Sequence, residues 1–140
     1  MPKVLVIDDD LVMLNAINHI LSKNGYDVDT ATNGKEGLEK IDLEEFDLVI
    51  TDIMMPHHNG LAVLSMVKNN PYRKQTKVVA MSSAGNIEIK NEAIVLGAEE
   101  FMTKPIKANY LLEIVKKYTS VMPEHRYLVT RKQSALKTQG

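Results

Sequence analysis

The chain has 140 residues, with 17 Lys and Arg against 18 Asp and Glu, 44% hydrophobic residues and no Cys. That length suits one domain, and a chain of this size buries roughly two-thirds of its unfolded surface without a metal or disulfide. The lack of cysteine excludes disulfide scaffolds, thiol catalysis and Cys-based zinc sites, and near-zero net charge gives no general electrostatic reason to bind nucleic acid.

The elements are predicted in chain order from apolar runs and amphipathic stretches. The first strand begins near Lys3 (KVLVI), directly before Asp8, Asp9 and Asp10. Leu14, Ile17 and Leu21 follow at helical spacing, and Gly25 is a stop signal. A second strand begins near Tyr26 (YDVDT); its alternation places it towards a sheet edge. Leu38 and Ile41 mark a short helix after Asn33-Gly34, and FDLVIT from Phe46 is the third strand. Leu61, Leu64 and Val67 mark a third helix that must end before Pro71, because the residue before a proline avoids the helical region. KVVAMS from Lys77 is the fourth strand, and Ile89, Ala93 and Leu96 form a helix closed by Gly97. EEFMT from Glu99 is the fifth strand, and Leu111, Ile114, Val115 and Tyr118 mark the last helix.

Strand starts separated by 23, 20, 31 and 22 residues are too far apart for hairpins but fit one helix between each pair. The expected fold is therefore α/β: a (βα)5, doubly wound, five-stranded parallel sheet of flavodoxin-like type. Residues 1–118 form the expected domain, with net charge −4. Residues 119–140 hold Arg126, Arg131, Lys132 and Lys137 against Glu124, with Tyr127-Leu128-Val129 as their one apolar patch. This +3 segment reads as a basic tail or linker. The longest apolar runs fall far short of the ~18–20 residues that span a bilayer. MPKVLVIDDD is acidic where a signal peptide would be apolar, so the expectation is a cytoplasmic chain without membrane contact.

In an open parallel sheet, ligands gather at the carboxyl ends of the strands. Asp8 and Asp9 follow the first strand, Asp52 ends the third, Ser82 ends the fourth and Lys104 follows the fifth. Any single Asp there is as readily a helix cap, and Asp10 fits that role. Several carboxylates at one edge repel one another, a cost tolerated when a cation offsets it. Hard oxygen ligands without His or Cys suit Mg²⁺ better than zinc. Lys104 and the Ser82 hydroxyl would face a phosphoryl group from the other side, an arrangement suited to in-line phosphoryl transfer.

The segments VLVIDDD, VITDIMMPHHNG, VVAMSSAG and LGAEEFMTKPI resemble the receiver domain of two-component response regulators. The intervals match too: 43 residues from Asp9 to Asp52, 30 from Asp52 to Ser82 and 22 from Ser82 to Lys104. The resemblance implies that Asp52 is the phosphoacceptor, supplied by a sensor histidine kinase or a histidine phosphotransfer protein. It implies Mg²⁺ on Asp8, Asp9, Asp52 and the backbone carbonyl of Met54. It further implies that Ser82 and Lys104 engage the phosphoryl group, that the Lys104–Pro105 bond is cis, and that Phe101 is the aromatic switch position. The output would be a changed surface on the fourth helix, fifth strand and fifth helix, read by a downstream protein target.

Met54 and Ala84 stand at positions that influence dephosphorylation in this family, and neither side chain can orient a water. His57 and His58 read as exposed loop residues, and Met54, Met55 and Met81 as filling around strands. Ile114 falls where the commonest DNA-binding subfamily has an arginine in its dimer face. Three rivals stand beside a phosphoacceptor switch, which is not itself an enzyme. A Mg²⁺-dependent phosphohydrolase would need a second acid/base Asp where Met54 stands, a degenerate receiver would have lost part of the site, and an FMN binder should show a Ser/Thr-rich loop after the first strand. The chain is either a stand-alone regulator or the receiver part of a DNA-binding regulator or hybrid kinase.

Overall fold

The computed structural model describes residues 1–55, 60–83 and 87–120. Five strands alternate with five helices in the order β1 (Lys3–Ile7), α1 (Leu11–Lys23), β2 (Asp27–Ala31), α2 (Gly34–Leu43), β3 (Leu48–Asp52), α3 (Gly60–Lys68), β4 (Lys77–Ser82), α4 (Ile87–Val95), β5 (Glu100–Thr103) and α5 (Ala108–Thr119). All four strand pairings are parallel, and the sheet order is β2-β1-β3-β4-β5. The alternating strand β2 lies at an edge, whereas the apolar strands β1, β3 and β4 are interior and covered on both faces.

Alternate residues of the central strands serve two cores. Leu5, Ile7, Val49, Val78 and Ala80 pack with Ile41, Leu64, Val67 and Ala93, from α2, α3 and α4. Val4, Val6, Ile50, Val79 and Met81 pack with Leu14, Ile17, Leu21, Leu111 and Val115, from α1 and α5. The chain order thus wraps helices onto both faces of the sheet, as parallel crossovers require.

Local signals set the boundaries. Asp10 caps α1, accepting from the backbone N–H groups of Val12 and Met13, and Asn33 caps α2 by accepting from Glu36 N–H at 2.8 Å. Gly25 and Gly97 adopt φ of +91° and +111° just after α1 and α4, a region that costs a side chain but not glycine. Three strands start one or two residues later than their apolar runs. Tyr26 N–H is drawn to Leu21 O at the end of α1, Asp47 N–H bonds Lys3 O, and Glu99 N–H bonds Val78 O ahead of β5. The Lys104–Pro105 bond is cis.

One expectation needs correcting. Met81 and Met55 are buried, but Met54 is 52% exposed because the chain has already left β3 there, so it does not fill the core. Ile114 lies in the core beneath α5, so it offers no surface for a dimer salt bridge. His57, His58, Ala84 and residues 121–140 lie outside the described residues.

Leu111 is wholly buried and Leu43 is 84% exposed. Leu111→Ala should cost about 2–5 kcal/mol in urea unfolding, and Leu43→Ala less than about 0.5 kcal/mol. Comparable losses would contradict this placement of the core.

Candidate functional site

The strand order reverses between β1 and β3, which are neighbours, and the acidic residues lie at the carboxyl ends of these two strands. Ile7 pairs with Thr51, so Asp8 and Asp52 follow at matching levels of adjacent strands. Asp8 is wholly buried, Asp52 is 5% exposed and Asp9 faces solvent. Each offers a carboxylate oxygen, and these three oxygens lie within 4.8 Å of one another. Asp10 contributes none, since its carboxylate is spent capping α1. Its backbone N–H instead donates to Asp8 Oδ1 at 2.9 Å, holding one side of the cluster.

Lys104 closes the cluster from the end of β5. Its Nζ lies 2.8 Å from Asp8 Oδ2 and 3.2 Å from Asp52 Oδ2. The second oxygen of Asp52, Oδ1, accepts from Met54 N–H at 3.0 Å. Ser82 is wholly buried at the end of β4, paired with Thr103, and its carbonyl accepts from Lys104 N–H at 2.8 Å. Phe101 pairs with Ala80 and is half-buried against the core on the α4 face. The structure thus brings Asp8, Asp9, Asp52, Ser82 and Lys104 to one edge, with Phe101 on the adjoining strand.

Burial is the largest influence on the Asp52 carboxyl and pushes its pKa up. The Lys104 ammonium and the Met54 amide pull it down, the Asp8 charge pushes it up again, and the net direction is upward. For Lys104, burial is again the largest single influence and works downward. The hydrogen bond that its ammonium donates to Asp8 and the charges of Asp52 and Asp8 outweigh it, so the ammonium is held above its ordinary value.

Sequence reasoning missed Gly60 and Thr51. A Cβ on Gly60 would overlap the Asp52 carbonyl oxygen and stand 2.8 Å from Ile53 Cα, so only glycine lets α3 start against the acidic strand end. The visible signal was a glycine eight residues after an aspartate, at the opening of an apolar helix. Thr51 is wholly buried, and its hydroxyl donates to Asp52 O at 3.1 Å.

Three hard carboxylate oxygens in one small space fit a divalent cation that prefers oxygen ligands, and they leave room for ligands from water or substrate. The facing ammonium suits an anion bound beside that cation. A family model described as the response regulator receiver domain matches residues 4–116. The chain belongs to this family. Among curated relatives of this receiver, the chemotaxis protein CheY of Treponema pallidum is 37% identical over 114 residues, covering 79% of this chain and 78% of the relative. Hybrid signal transduction histidine kinase F of Dictyostelium discoideum is 33% identical over 124 residues, covering 86% of this chain but 11% of that protein. The receiver thus spans only a small part of some multidomain relatives. Among solved structures, the chemotaxis response regulator CheY4 of Vibrio cholerae matches with a TM-score of 0.79 at 30% identity, covering 84% of this chain and 98% of that one. The fold is therefore the flavodoxin-like receiver fold, and phosphorylation-dependent signalling fits the site. Among the described residues, no helix is long and apolar enough to cross a membrane.

Two outcomes follow from this geometry. The raised Asp52 pKa means that its contribution to stability is full in acid, below its unfolded value, and is lost as pH rises through the folded value. In metal-free buffer at neutral pH, Asp52→Asn should therefore melt above wild type, with the gap closing as pH falls; equal melting at neutral pH would contradict the raised pKa. Gly60→Ala should cost about 1–3 kcal/mol in urea unfolding by forcing α3 off the Asp52 carbonyl. An unchanged midpoint would mean that the helix start yields freely.

Proposed function

We propose that the chain is a phosphoacceptor switch in which Asp52 takes a phosphoryl group from a phosphohistidine on a sensor histidine kinase or a histidine phosphotransfer protein. The observation that carries this reading is the grip of one ammonium on two buried carboxylates, with a third carboxylate completing an oxygen cluster. One Asp52 carboxylate oxygen attacks phosphorus, the P–N bond to the donor histidine breaks, and the imidazole leaves. The product is an aspartyl phosphate.

Asp8, Asp9 and Asp52, with the backbone carbonyl of Met54, would hold Mg²⁺, which when bound neutralises charge on the phosphoryl oxygens. The chain's own groups do the rest. Met54 N–H fixes the orientation of Asp52 through Oδ1, leaving Oδ2 beside the Lys104 ammonium. Phosphorylation adds negative charge and three acceptor oxygens, which draw Lys104 away from Asp52 Oδ2 and onto the phosphoryl group. The Ser82 hydroxyl turns towards the same group. Ser82 O accepts from Lys104 N–H, so a movement of either strand end is felt by the other.

Phe101 follows Ser82 inward by packing alone, since it has no hydroxyl to bond. The output is a changed α4–β5–α5 surface presented to a downstream protein target, a role that contacts neither nucleic acid nor membrane. The same receiver reading holds if the segment belongs to a larger DNA-binding regulator or a hybrid kinase. Residues 1–118 would then be the switch and 119–140 the connection. The exposed Met54 side chain has no group to activate a water, which favours a slowly hydrolysed phosphoryl form.

The test is incubation with Mg²⁺ and acetyl phosphate, followed by intact mass. Wild type should gain ~80 Da, the added phosphoryl group, and Asp52→Asn should not. No adduct on wild type, or an undiminished one on Asp52→Asn, would overturn the assignment. In wild type the adduct should persist for minutes after the donor is removed; loss within a few seconds would contradict slow hydrolysis.

A further inference from the structure

The Asp52 side chain sits on a turn whose backbone polar groups are all held, from the Asp52 carbonyl to the Met54 amide. Ile53 N–H donates to Met81 O on β4 at 2.9 Å, and Ile53 O accepts from Gly60 N–H at 3.0 Å. Met54 N–H donates to Asp52 Oδ1 at 3.0 Å, and the Asp52 carbonyl accepts from the Thr51 hydroxyl at 3.1 Å. Apart from the acceptor itself, Thr51 is the residue that contributes a side chain to these bonds. We propose that Thr51 is a positioning residue for phosphoryl transfer: its hydroxyl fixes the Asp52 carbonyl, and with it the turn that brings Met54 N–H onto the Asp52 carboxylate.

The strand end explains why that carbonyl needs a side-chain donor. Ile53 N–H turns towards β4, so the carbonyl of the same trans peptide turns the other way, towards β1. Pairing between β1 and β3 has ended one residue earlier, at Ile7 and Thr51, and the ladder offers this oxygen no donor. Gly60 packs so closely against it that a Cβ there would overlap it. The carbonyl is thus crowded by the start of α3 and bonded by Thr51.

Packing alone does not call for a hydroxyl at this position. Thr51 is wholly buried, and the residues that share its face of the sheet are apolar: Val49 and Ile53 along the chain, Ile7 on β1 and Ala80 on β4. Valine has the same shape, and a hydroxyl in such a layer is costly unless bonded. Its bond goes to the acceptor's own peptide. Releasing that carbonyl frees the Asp52–Ile53 peptide to rotate. Met54 N–H then loses its hold on Oδ1, and the attacking oxygen loses its fixed direction. Misplacing a reacting group by about 1 Å costs on the order of a hundredfold in rate, so even a modest loosening is measurable.

The inference rests on Asp52 as phosphoacceptor, but its backbone part is read without phosphorylation. The test compares Thr51→Val, Thr51→Ala and Thr51→Ser with wild type. In metal-free protein, hydrogen exchange at the Met54 amide, taken relative to the Val49 amide, should quicken at least about fivefold in the Val and Ala variants and change less than about twofold in Ser. A general loss of stability would quicken both amides. At saturating Mg²⁺ and acetyl phosphate, the rate of the ~80 Da mass gain should fall at least about fivefold in Val and Ala and be restored in Ser. Unchanged exchange or an unchanged rate in Thr51→Val, or a Ser variant as impaired as Ala, would overturn the proposal. If Thr51→Val does not fold, Ser and Ala carry the same comparison, since they differ by the hydroxyl alone. No adduct on wild type would overturn the phosphoacceptor reading itself, with the exchange comparison still deciding whether Thr51 holds the turn.

Discussion

Two buried carboxylates sharing one ammonium is the constraint on which the rest of this structure depends. Asp8 and Asp52 stand at the ends of adjacent parallel strands because β1 and β3 pair in register, and neither has water enough to dilute its charge. Asp9 adds a third negative group within 4.8 Å. Such a cluster is unfavourable by itself, and Lys104 offsets it only in part, since the Asp52 pKa remains raised. A fold that retains this residual repulsion is poised for ligands that relieve it: a cation beside the carboxylates, and an anion that gives Lys104 a better partner.

The scaffold explains why that ammonium can report on its surroundings. Lys104 leaves the last residue of the short edge strand β5, and its backbone N–H is held by Ser82 O. The far end of β5 is secured separately. Lys68 Nζ lies 3.2 Å from Glu99 Oε2, Glu99 Oε1 accepts from Val78 N–H at 2.6 Å, and Tyr118 OH donates to Glu99 O at 3.1 Å. This network ties α3, β4, β5 and α5 together at the end remote from the acidic cluster. Phe101 lies between these two ends of β5, half-buried against the core on the α4 face.

Much of this was legible in the sequence because strong local rules act there. Apolar runs followed by Asp, Asp, Ser and Lys announced strand ends, the alternation of YDVDT placed β2 at an edge, and Asp10 declared itself as a cap. What escaped depended on contacts between residues far apart in the chain. Met54 looks as apolar as Met81, and only the exit of the chain from β3 exposes it. Gly60 matters because of the Asp52 carbonyl that it faces, a contact no periodicity reveals. The Lys68–Glu99 pair joins positions 31 residues apart, which only the β4–β5 crossover brings together.

The central claim is that these carboxylates form one oxygen site for a divalent cation, sharing charge with Lys104. The most direct measurement is calorimetric titration of the purified chain with Mg²⁺ at neutral pH. The account predicts one saturable site in wild type, weakened at least about tenfold in Asp9→Asn, the exposed member whose loss leaves the buried Lys104 contacts in place. Unchanged Mg²⁺ affinity in Asp9→Asn, or no saturable binding to wild type, would contradict it.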